Sequence, residues 1–320
     1  MNENNKLDFL GQLSPEMIDV LRYQREHAAS SGEMSLPEAR LHYQQERRFW
    51  NEGGPQMERI TDVDVPYEEG VVRTRLFCPQ QRISNGCLFY LHGGGFVVGN
   101  LDTHDRIMRL LAQESGCVVI GVDYTLAPEA RFPRAIKEIA AVSRFFRQHS
   151  TQYQLDLTCC GYAGDSAGAL LALSACLWMR DHGEDISGIR ALLLYYGLYG
   201  LQDSRTRRWY GGEWDGLTQV DLRYYQQMYL ARESDMHSPH YCIFNNDLAH
   251  AMPACFIAAC EFDPLRDDSE TLATVLQEKN IHCEYRVYPG TLHAFLHYSR
   301  MMKAAGQAIA DGAAFFRTFV

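Results

Sequence analysis

The stretch GYAGDSAGALLAL, which holds Ser166 between two glycines, is the first part of the sequence that could carry out chemistry. Its centre, GDSAG at 164–168, follows an apolar run at 157–163 and opens an apolar helical pattern. In such a strand-to-helix turn a G-x-S-x-G pattern exposes the serine hydroxyl, and side chains at the glycine positions would collide with neighbouring elements. In the alternative interpretation, Ser166 only caps the helix. We therefore predict Ser166 as a nucleophile, provided that the sequence also supplies its partners.

A nucleophilic serine needs a general base and a carboxylate that orients the base, and candidates for both follow Ser166 in the chain. Asp263 comes just after the apolar run at 253–259, and His293 comes just after the run at 282–288. If both runs are parallel strands, these residues lie at the same edge of the sheet as Ser166. The sequence therefore predicts a catalytic triad of Ser166, His293 and Asp263.

Four other ionisable residues lie close to the predicted partners in the sequence: Glu261, Asp267, Asp268 and His297. We expect Asp267 and Asp268 in the first turn of the following helix, where carboxylates stabilise the helix dipole. His297 is expected to begin the last helix. Pro264 restricts the backbone after Asp263, which favours Asp263 over its acidic neighbours.

Three consecutive glycines in LFYLHGGGFVVGN, at 88–100, place main-chain amides directly after another apolar run. During acyl transfer the carbonyl oxygen of the substrate becomes an anion, and preorganised amides stabilise that anion. We predict His92, Gly93 and Gly94 as the oxyanion segment, with a further amide from Ala167 beside the nucleophile. This role of the glycines depends on the predicted triad.

The same glycines could instead form a phosphate loop, but their register excludes both common forms. G-x-G-x-x-G from Gly93 would require glycine where Val98 stands, and a Walker loop from Gly94 would require lysine where Asn100 stands. Neither H-E-x-x-H nor the calcium-loop pattern occurs in the sequence. We therefore expect no cofactor and no metal.

All of these candidate residues follow apolar runs in a chain that alternates between strand and helix patterns. Runs typical of strands occupy 71–78, 87–92, 117–124, 157–163, 189–196, 253–259 and 282–288. Helix-length amphipathic stretches occupy 103–114, 134–149, 166–181, 267–279 and 300–318. Strands separated by helices pair in parallel, and continuous hydrophobicity indicates a sheet covered on both faces. The sequence predicts an α/β fold with an open, mostly parallel, doubly wound sheet.

Two segments interrupt the alternation. Residues 1–50 contain two helical patterns, each with a proline start signal, and residues 200–245 separate two strands by far more than an ordinary connection. We predict that both form a helical cap over the carboxyl edge of the sheet. The chain then divides into an N-terminal cap segment at 1–50 and a catalytic domain at 51–320, with a cap insertion at about 200–245.

The composition disfavours several classes of partner. The formal net charge of the 320 residues is -10 and the pI is about 5.6, so the average field repels nucleic acids and anionic lipids. No basic leader precedes an apolar segment, and no run approaches the roughly 18 apolar residues of a membrane span. We expect a soluble, cytoplasmic protein that binds neither nucleic acid nor membrane.

Five motifs in this order resemble the hormone-sensitive-lipase branch of the α/β-hydrolase fold: HGGGF (92–96), DYTLAPEARFP (123–133), GDSAG (164–168), DPLRDD (263–268) and HAF (293–295). The resemblance covers the chain from about residue 70 to its C-terminus. It implies Ser166 as nucleophile, Asp263 and His293 as its partners, and an oxyanion segment at 92–94. It also implies a helical cap, short-chain acyl esters as substrates and a homodimer.

Within this branch the chain resembles the bacterial cytoplasmic acetyl esterases, including the stretch YQQERRFWNEG at 43–53. The resemblance implies a serine carboxylesterase with acetyl esterase activity. As an alternative or additional function, it implies a protein partner, a transcription activator of the maltose system that the protein inhibits. Glu129 is implied as a structural residue, and HAF in place of the commoner HGF is expected to matter little. Amides and acetylated sugars or drugs stay open as other substrates.

Overall fold

An eight-stranded sheet forms the centre of the computed structural model, which describes residues 6–28, 34–68, 70–212 and 216–320. The strands in chain order are β1 (Met57–Tyr67), β2 (Gly70–Pro79), β3 (Cys87–Leu91), β4 (Val118–Asp123), β5 (Cys160–Asp165), β6 (Ile189–Tyr195), β7 (Ala254–Phe262) and β8 (Cys283–Leu292). Across the sheet their order is β1-β2-β4-β3-β5-β6-β7-β8. β2 pairs antiparallel with β1 and β4, and the other neighbours pair in parallel. The predicted mostly parallel sheet is confirmed.

Helices cover both faces of this sheet. In the described part of the chain they are α1 (Pro15–Glu26), α2 (Leu36–Asn51), α3 (Asp105–Ser115), α4 (Arg134–Gln148), α5 (Ser150–Tyr153), α6 (Ala167–Asp181), α7 (Arg205–Trp209), α8 (Gln219–Tyr229), α9 (Arg266–Glu278) and α10 (Lys303–Arg317). Leu111 of α3 and Ile309 of α10 belong to one buried cluster. Ile139 of α4, Leu171 of α6 and Leu272 of α9 belong to another. The two clusters are the two sides of a doubly wound sheet.

The edge strand β1 is an element that the sequence analysis missed. Its residues, MERITDVDVPY, are largely exposed, and Val65 is its buried position. An edge strand has fewer neighbours to exclude water, so its sequence lacks the continuous hydrophobicity that marks the central strands. β5 also begins at Cys160 rather than at residue 157, and it extends to Asp165.

The strand order reverses beside β3. The chain passes from β3 to β4 on one side and returns to place β5 on the other side. In an open α/β sheet a crevice forms at such a reversal, at the carboxyl ends of the strands. Leu91, the last residue of β3, is level with Gly164 of β5. The glycine run and Ser166 therefore leave the sheet side by side.

The two predicted cap segments contain residues 1–5, 29–33 and 213–215, which lie outside the described residues. The described parts include α1 and α2 from the first segment and α7 and α8 from the second. Ser35 and Glu38 form a capping box that starts α2. The proposed boundaries of the cap and of the catalytic domain stay predictions.

Arg40 attaches α2 to the loops that follow β3 and β4. Its Nε donates to the carbonyl of Val97 at 2.8 Å, and Nη2 donates to the carbonyl of Ala127 at 2.8 Å. The guanidinium also binds both carboxylate oxygens of Glu129, at 2.8 and 2.7 Å. Glu129 thus makes a structural contact between α2 and the sheet edge.

The expectation that His297 begins the last helix is wrong. His297 lies in a single 3-10 turn, Phe295–Tyr298, and α10 begins at Lys303. All four side chains of the turn are buried, and the His297 ring packs edge-on against His104 with 4.5 Å between ring centres. Phe295, Leu296 and Tyr298 of the turn belong to the same buried cluster as residues of α3 and α10, so the turn packs into the core before α10 begins.

Candidate active site

Ser166 occupies a sharp turn between β5 and α6. Its backbone has φ 53° and ψ -119°, a region that a residue with a side chain rarely adopts. A Cβ atom at Gly164 would overlap the carbonyl of Gly168, and one at Gly168 would overlap the carbonyl of Leu91. The crowding that the G-x-S-x-G pattern predicts is therefore present on both sides of the serine.

The structure brings Ser166, His293 and Asp263 together in one chain of hydrogen bonds. His293 Nε2 lies 2.8 Å from Ser166 Oγ, and His293 Nδ1 lies 2.8 Å from a carboxylate oxygen of Asp263. The other carboxylate oxygen accepts the amide of Leu265 at 2.8 Å, and Asp263 is fully buried. A carboxylate requires a donor, so Nδ1 carries the ring proton and Nε2 is free to accept the serine hydroxyl. This arrangement can remove the proton of Ser166 and return it later.

The glycine run leaves β3 next to this serine, but its first amide is already in use. The amide of Gly93 donates to Asp165 Oδ1 at 3.0 Å, which argues against Gly93 as an oxyanion donor. Gly94 and Gly95 line the same cavity as Ser166 and have φ values of 113° and 59°. The amides of Gly94, Gly95 and Ala167 are therefore the better candidates, one position further along than the sequence suggested.

His92 supports the glycine run and does not line the cavity. Its Nδ1 donates to the carbonyl of Gly93 at 2.8 Å, and its ring stacks on Tyr124 with 4.4 Å between centres. The Tyr124 hydroxyl donates to the carbonyl of His92 at 2.8 Å. Burial lowers the pKa of His92 to about 3, so the ring is neutral. His92 holds the backbone of the run in place.

A family model for the α/β-hydrolase fold matches residues 88–297, which include the serine turn, both of its partners and the glycine run. The chain belongs to this family. The match begins within β3 and ends in the turn that contains His297, so it covers the part of the sheet that carries the candidate residues.

Solved structures of α/β-hydrolases superpose closely on this hydrolase. A hyperthermophilic esterase from the archaeon Pyrobaculum calidifontis is 28% identical, with a TM-score of 0.89 over 96% of this chain and 98% of its own. An ester hydrolase from the metagenome of Lake Arreo, complexed with a bipyridine phosphonate derivative, is 27% identical, with a TM-score of 0.88 over 96% and 98%. A thermostable carboxylesterase from a metagenomic library is 27% identical, with a TM-score of 0.85 over 89% and 97%. The predicted α/β-hydrolase fold is confirmed.

The acidic neighbours of Asp263 in this hydrolase all have other partners. Glu261 accepts the amide of Gly290 at 2.8 Å. Asp267 and Asp268 lie in the first turn of α9, as expected, but their side chains bind the region after β6. Asp267 accepts the amide of Thr206 at 2.9 Å, and Asp268 accepts the amide of Tyr199 at 2.7 Å. These carboxylates anchor the insertion, a role that the sequence analysis did not predict.

Asp165, the residue before the nucleophile, holds the floor of the site. Its carboxylate accepts the Tyr90 hydroxyl at 2.7 Å and the Gly93 amide at 3.0 Å, and Nε2 of His104 lies 3.4 Å away. Burial opposes ionisation, but His104 and Tyr90 outweigh it and hold the pKa of Asp165 well below its usual value. The sequence analysis missed Tyr90 and His104, because neither belongs to a motif with a predicted chemical role.

His104, Asp165 and His297 also offer metal-ligand atoms that all lie within 4.8 Å of one another. All three side chains are buried, and the Asp165 oxygens already receive hydrogen bonds from Tyr90 and Gly93. Because the Asp165 carboxylate already has hydrogen-bond partners in the protein, we interpret these three residues as a structural support for the serine turn and the glycine run, and not as a metal site.

Side chains from both predicted cap segments line the cavity that contains Ser166. Its volume is about 120 Å³. α2 contributes Tyr43 and Arg47, and α8 contributes Leu222 and Tyr225. The sequence analysis assigned none of these four residues to the active site, since their proximity to Ser166 depends on tertiary packing and leaves no local pattern.

Ala294, the central residue of HAF, has φ 66° and ψ 18°. An alanine in this left-handed region is strained by roughly 1 kcal/mol, whereas glycine adopts it freely. The expectation that alanine here matters little stays a prediction, which the effect of Ala294→Gly on the free energy of unfolding tests. Among the described residues, no helix is both long enough and apolar enough to cross a membrane.

Proposed function

We propose that the protein is a serine carboxylesterase that hydrolyses short-chain acyl esters, acetyl esters above all, through an acyl-enzyme on Ser166. The observation that carries this proposal is the pair of 2.8 Å contacts that join Ser166, His293 and Asp263 beside a cavity. The esterases among the superposed structures support it, at 27 to 28% identity over most of the chain.

In the first half of the reaction, Ser166 Oγ attacks the carbonyl carbon of the ester while His293 Nε2 takes its proton. Asp263 stabilises the imidazolium that forms. The carbonyl oxygen becomes an anion, which the amides of Gly94, Gly95 and Ala167 stabilise. Nε2 then gives its proton to the oxygen of the leaving alcohol as the carbon–oxygen bond breaks, and the acyl group stays on Ser166.

In the second half, water takes the place of the alcohol. His293 removes a proton from the water as its oxygen attacks the acyl carbon, and the same amides stabilise the second oxyanion. Ser166 Oγ then leaves and receives the proton from Nε2. The net reaction converts ester and water into acid and alcohol, and the enzyme returns to its starting state.

The size of the cavity supports a preference for short acyl chains. Its volume of about 120 Å³ compares with the ~150 Å³ of an engineered cavity that binds benzene. An acetyl or butyryl group fits this space. A long chain has to extend beyond this space, past the side chains of Leu198, Leu222 and Tyr225 that line it.

The proposal is tested with purified protein and a series of 4-nitrophenyl esters from acetate to dodecanoate. We expect Ser166→Ala to lower kcat by about 10⁴- to 10⁶-fold, the range for loss of a nucleophile. Ser187→Ala, an exposed serine, serves as the control and keeps the wild-type rate. We expect kcat/KM to decrease beyond butyrate. A wild-type rate in Ser166→Ala refutes the mechanism, and equal activity across the series refutes the short-chain preference.

The resemblance to acetyl esterases also led to three predictions that stay predictions: a homodimer, a cytoplasmic location and inhibitory binding to a transcription activator of the maltose system. The triad has no part in binding a regulator, so its geometry favours the enzymatic function. A pull-down with and without maltotriose tests the regulatory function. Failure to retain the activator under both conditions counts against it.

A further inference from the structure

Arg47 places a cation in the wall of the cavity that contains Ser166. The residue lies on α2, is 7% exposed, and lines the cavity together with Ser166 and His293. Burial of a charge is unfavourable unless the charge is paired and hydrogen-bonded. The partners of Arg47 therefore indicate whether its charge is balanced within the protein.

Burial opposes the charge of Arg47, but Tyr43, Tyr298 and Glu46 outweigh it and hold the pKa of Arg47 well above its usual value, so the side chain stays a cation. Nη1 lies 3.2 Å from a carboxylate oxygen of Glu46, whose side chain is 39% exposed. The guanidinium carbon lies 4.6 Å from the centre of the Tyr43 ring. Burial raises the pKa of Tyr43, so its hydroxyl stays neutral. The buried Nε of Arg47 has no hydrogen-bond acceptor within the part of the chain that the structure describes.

Two other arginines show how the protein balances such a charge elsewhere. Arg40, on the same helix, binds both oxygens of Glu129 and two backbone carbonyls. Arg207 is also buried, and it pairs at 3.1 Å with the fully buried carboxylate of Asp268. The described partner of Arg47 is instead its sequence neighbour Glu46, which is open to water.

Among the described residues, Glu46 supplies the one carboxylate that forms an ion pair with Arg47. The Asp165 carboxylate lines the same cavity, and it accepts the Tyr90 hydroxyl and the Gly93 amide. Burial lowers the pKa of His297 well below its usual value, so that ring is uncharged. A buried cation, paired with a carboxylate that is itself open to water, thus lines the space where the substrate binds.

We propose that Arg47 binds a carboxylate of the substrate, so that the preferred substrates are short esters that also carry an anionic group. This inference rests on the proposed esterase function. A guanidinium binds a carboxylate through charge-assisted hydrogen bonds, and Arg47 lines the cavity that contains Ser166. The chemistry at the ester is unchanged, because the second carboxylate forms and breaks no covalent bond.

The carboxylate could belong to the alcohol half or to the acyl half of the ester, and two substrate pairs distinguish these cases. In the first pair, 4-acetoxybenzoate carries the anion in its alcohol half, and methyl 4-acetoxybenzoate is its neutral counterpart. In the second pair, the 4-nitrophenyl monoester of adipate carries it in the acyl half, and its methyl ester is the neutral counterpart. For each pair we measure the ratio of kcat/KM for the anionic ester to kcat/KM for the neutral ester.

The ratio is compared between the wild type, Arg47→Met and Arg48→Met. Arg48 is the next residue of α2 and is exposed, so its replacement removes the same charge outside the cavity. Intrinsic differences in ester reactivity cancel when the same ratio is compared between proteins. We expect Arg47→Met to lower the ratio about 10- to 100-fold in one of the two pairs, the range for a charged hydrogen bond. Arg48→Met should leave it within about twofold of the wild type. An equal ratio in Arg47→Met and the wild type, for both pairs, overturns the proposal.

Binding measurements keep the inference testable if Arg47→Met does not fold or if the protein does not hydrolyse esters. The products 4-hydroxybenzoate and adipate are titrated by calorimetry into Ser166→Ala, which retains Arg47 and lacks the nucleophile, alongside the neutral esters methyl 4-hydroxybenzoate and dimethyl adipate. At least tenfold tighter binding of one anion than of its neutral partner supports Arg47 as the anion site. Equal or weaker binding of both anions overturns it. Inactivity towards 4-nitrophenyl acetate with preserved anion binding refutes the esterase function alone.

Discussion

The cavity has a lower half, formed by the sheet edge, and an upper half, formed by side chains of α2 and α8, and the two halves are built in different ways. Below, Ser166, Asp263 and His293 each follow a parallel strand, and backbone hydrogen bonds fix where those strands end. Above, Tyr43, Arg47 and the residues of α8 reach the cavity from helices that are distant in sequence. The lower half positions reacting atoms through the backbone, whereas the upper half shapes the space with side chains.

This difference explains how catalysis and specificity can be separated in one molecule. The hydrogen bonds of the lower half leave little freedom, because Asp263 is fully buried and the glycines are crowded by backbone atoms. The upper half is attached by discrete contacts, such as the four hydrogen bonds of Arg40. Substitutions below should therefore change kcat, and substitutions above should mainly change KM or the choice of substrate.

After Ser166→Ala, the largest effect on kcat is expected at Asp263. Replacement with asparagine preserves the shape of the side chain but offers an amide group to His293 Nδ1, which favours the wrong tautomer. We expect kcat for 4-nitrophenyl acetate to decrease by about 10⁴-fold with a small change in KM. Asp267→Asn is the matched control at the same edge, and its kcat should stay within about tenfold. A comparable loss in both variants would show that Asp263 has no special role.

The lower half could be predicted from the sequence because its geometry is local to strand ends. A run such as FIAACEFDP predicts both a buried strand and the polar residue that follows it, which placed Asp263 correctly beside His293. The limit of such reasoning appears at Gly93. The sequence shows three glycines but not which amide is free, and Asp165 takes the first of them through a side-chain contact between neighbouring strands.

The upper half could not be predicted beyond its existence as helical segments. Arg47 reaches the cavity because of the way α2 lies over the sheet. Arg40, also on α2, holds the helix in that position by binding Glu129, which lies in a loop much later in the chain. A charged residue on an amphipathic helix is most often solvated, so the sequence gives no signal that Arg47 is buried. Glu129 was noted only through the family resemblance.

An intermediate effect is expected at Arg40. Arg40→Met removes the hydrogen bonds that attach α2 to the carbonyls of Val97 and Ala127, so the wall that carries Tyr43 and Arg47 loosens. We expect KM to rise about three- to tenfold with kcat reduced less than threefold, measured with 4-nitrophenyl acetate; the loss corresponds to about 1 kcal/mol of binding.

Glu129→Gln provides the comparison for Arg40. The Glu129 side chain is 55% exposed, so the ion pair itself contributes at most about 1 kcal/mol. Glutamine can still accept a hydrogen bond, and KM should therefore change by less than about threefold. A larger effect on kcat than on KM in Arg40→Met would mean that α2 also positions the triad, and the distinction between the two halves would fail.

The smallest effect is expected at Ala294, which follows His293 and lines the cavity. Its positive φ strains alanine, so Ala294→Gly should stabilise the folded protein. Glycine also makes the unfolded chain more flexible, which offsets part of the gain. We expect a net increase of up to about 0.6 kcal/mol in the free energy of unfolding, measured by urea denaturation.

Ala304→Gly tests whether this stabilisation arises from backbone conformation. Ala304 lies in the first turn of α10, in a regular helix, where glycine should destabilise the protein by up to about 1 kcal/mol. The same chemical change should thus have opposite signs at two positions ten residues apart. Destabilisation by both variants would mean that the loop after His293 gains more from the alanine methyl group than it loses through strain. In that case side-chain packing, as in the cavity wall formed by α2 and α8, would determine the stability of the protein at Ala294. Backbone conformation, which positions the residues at the sheet edge, would then have the smaller effect.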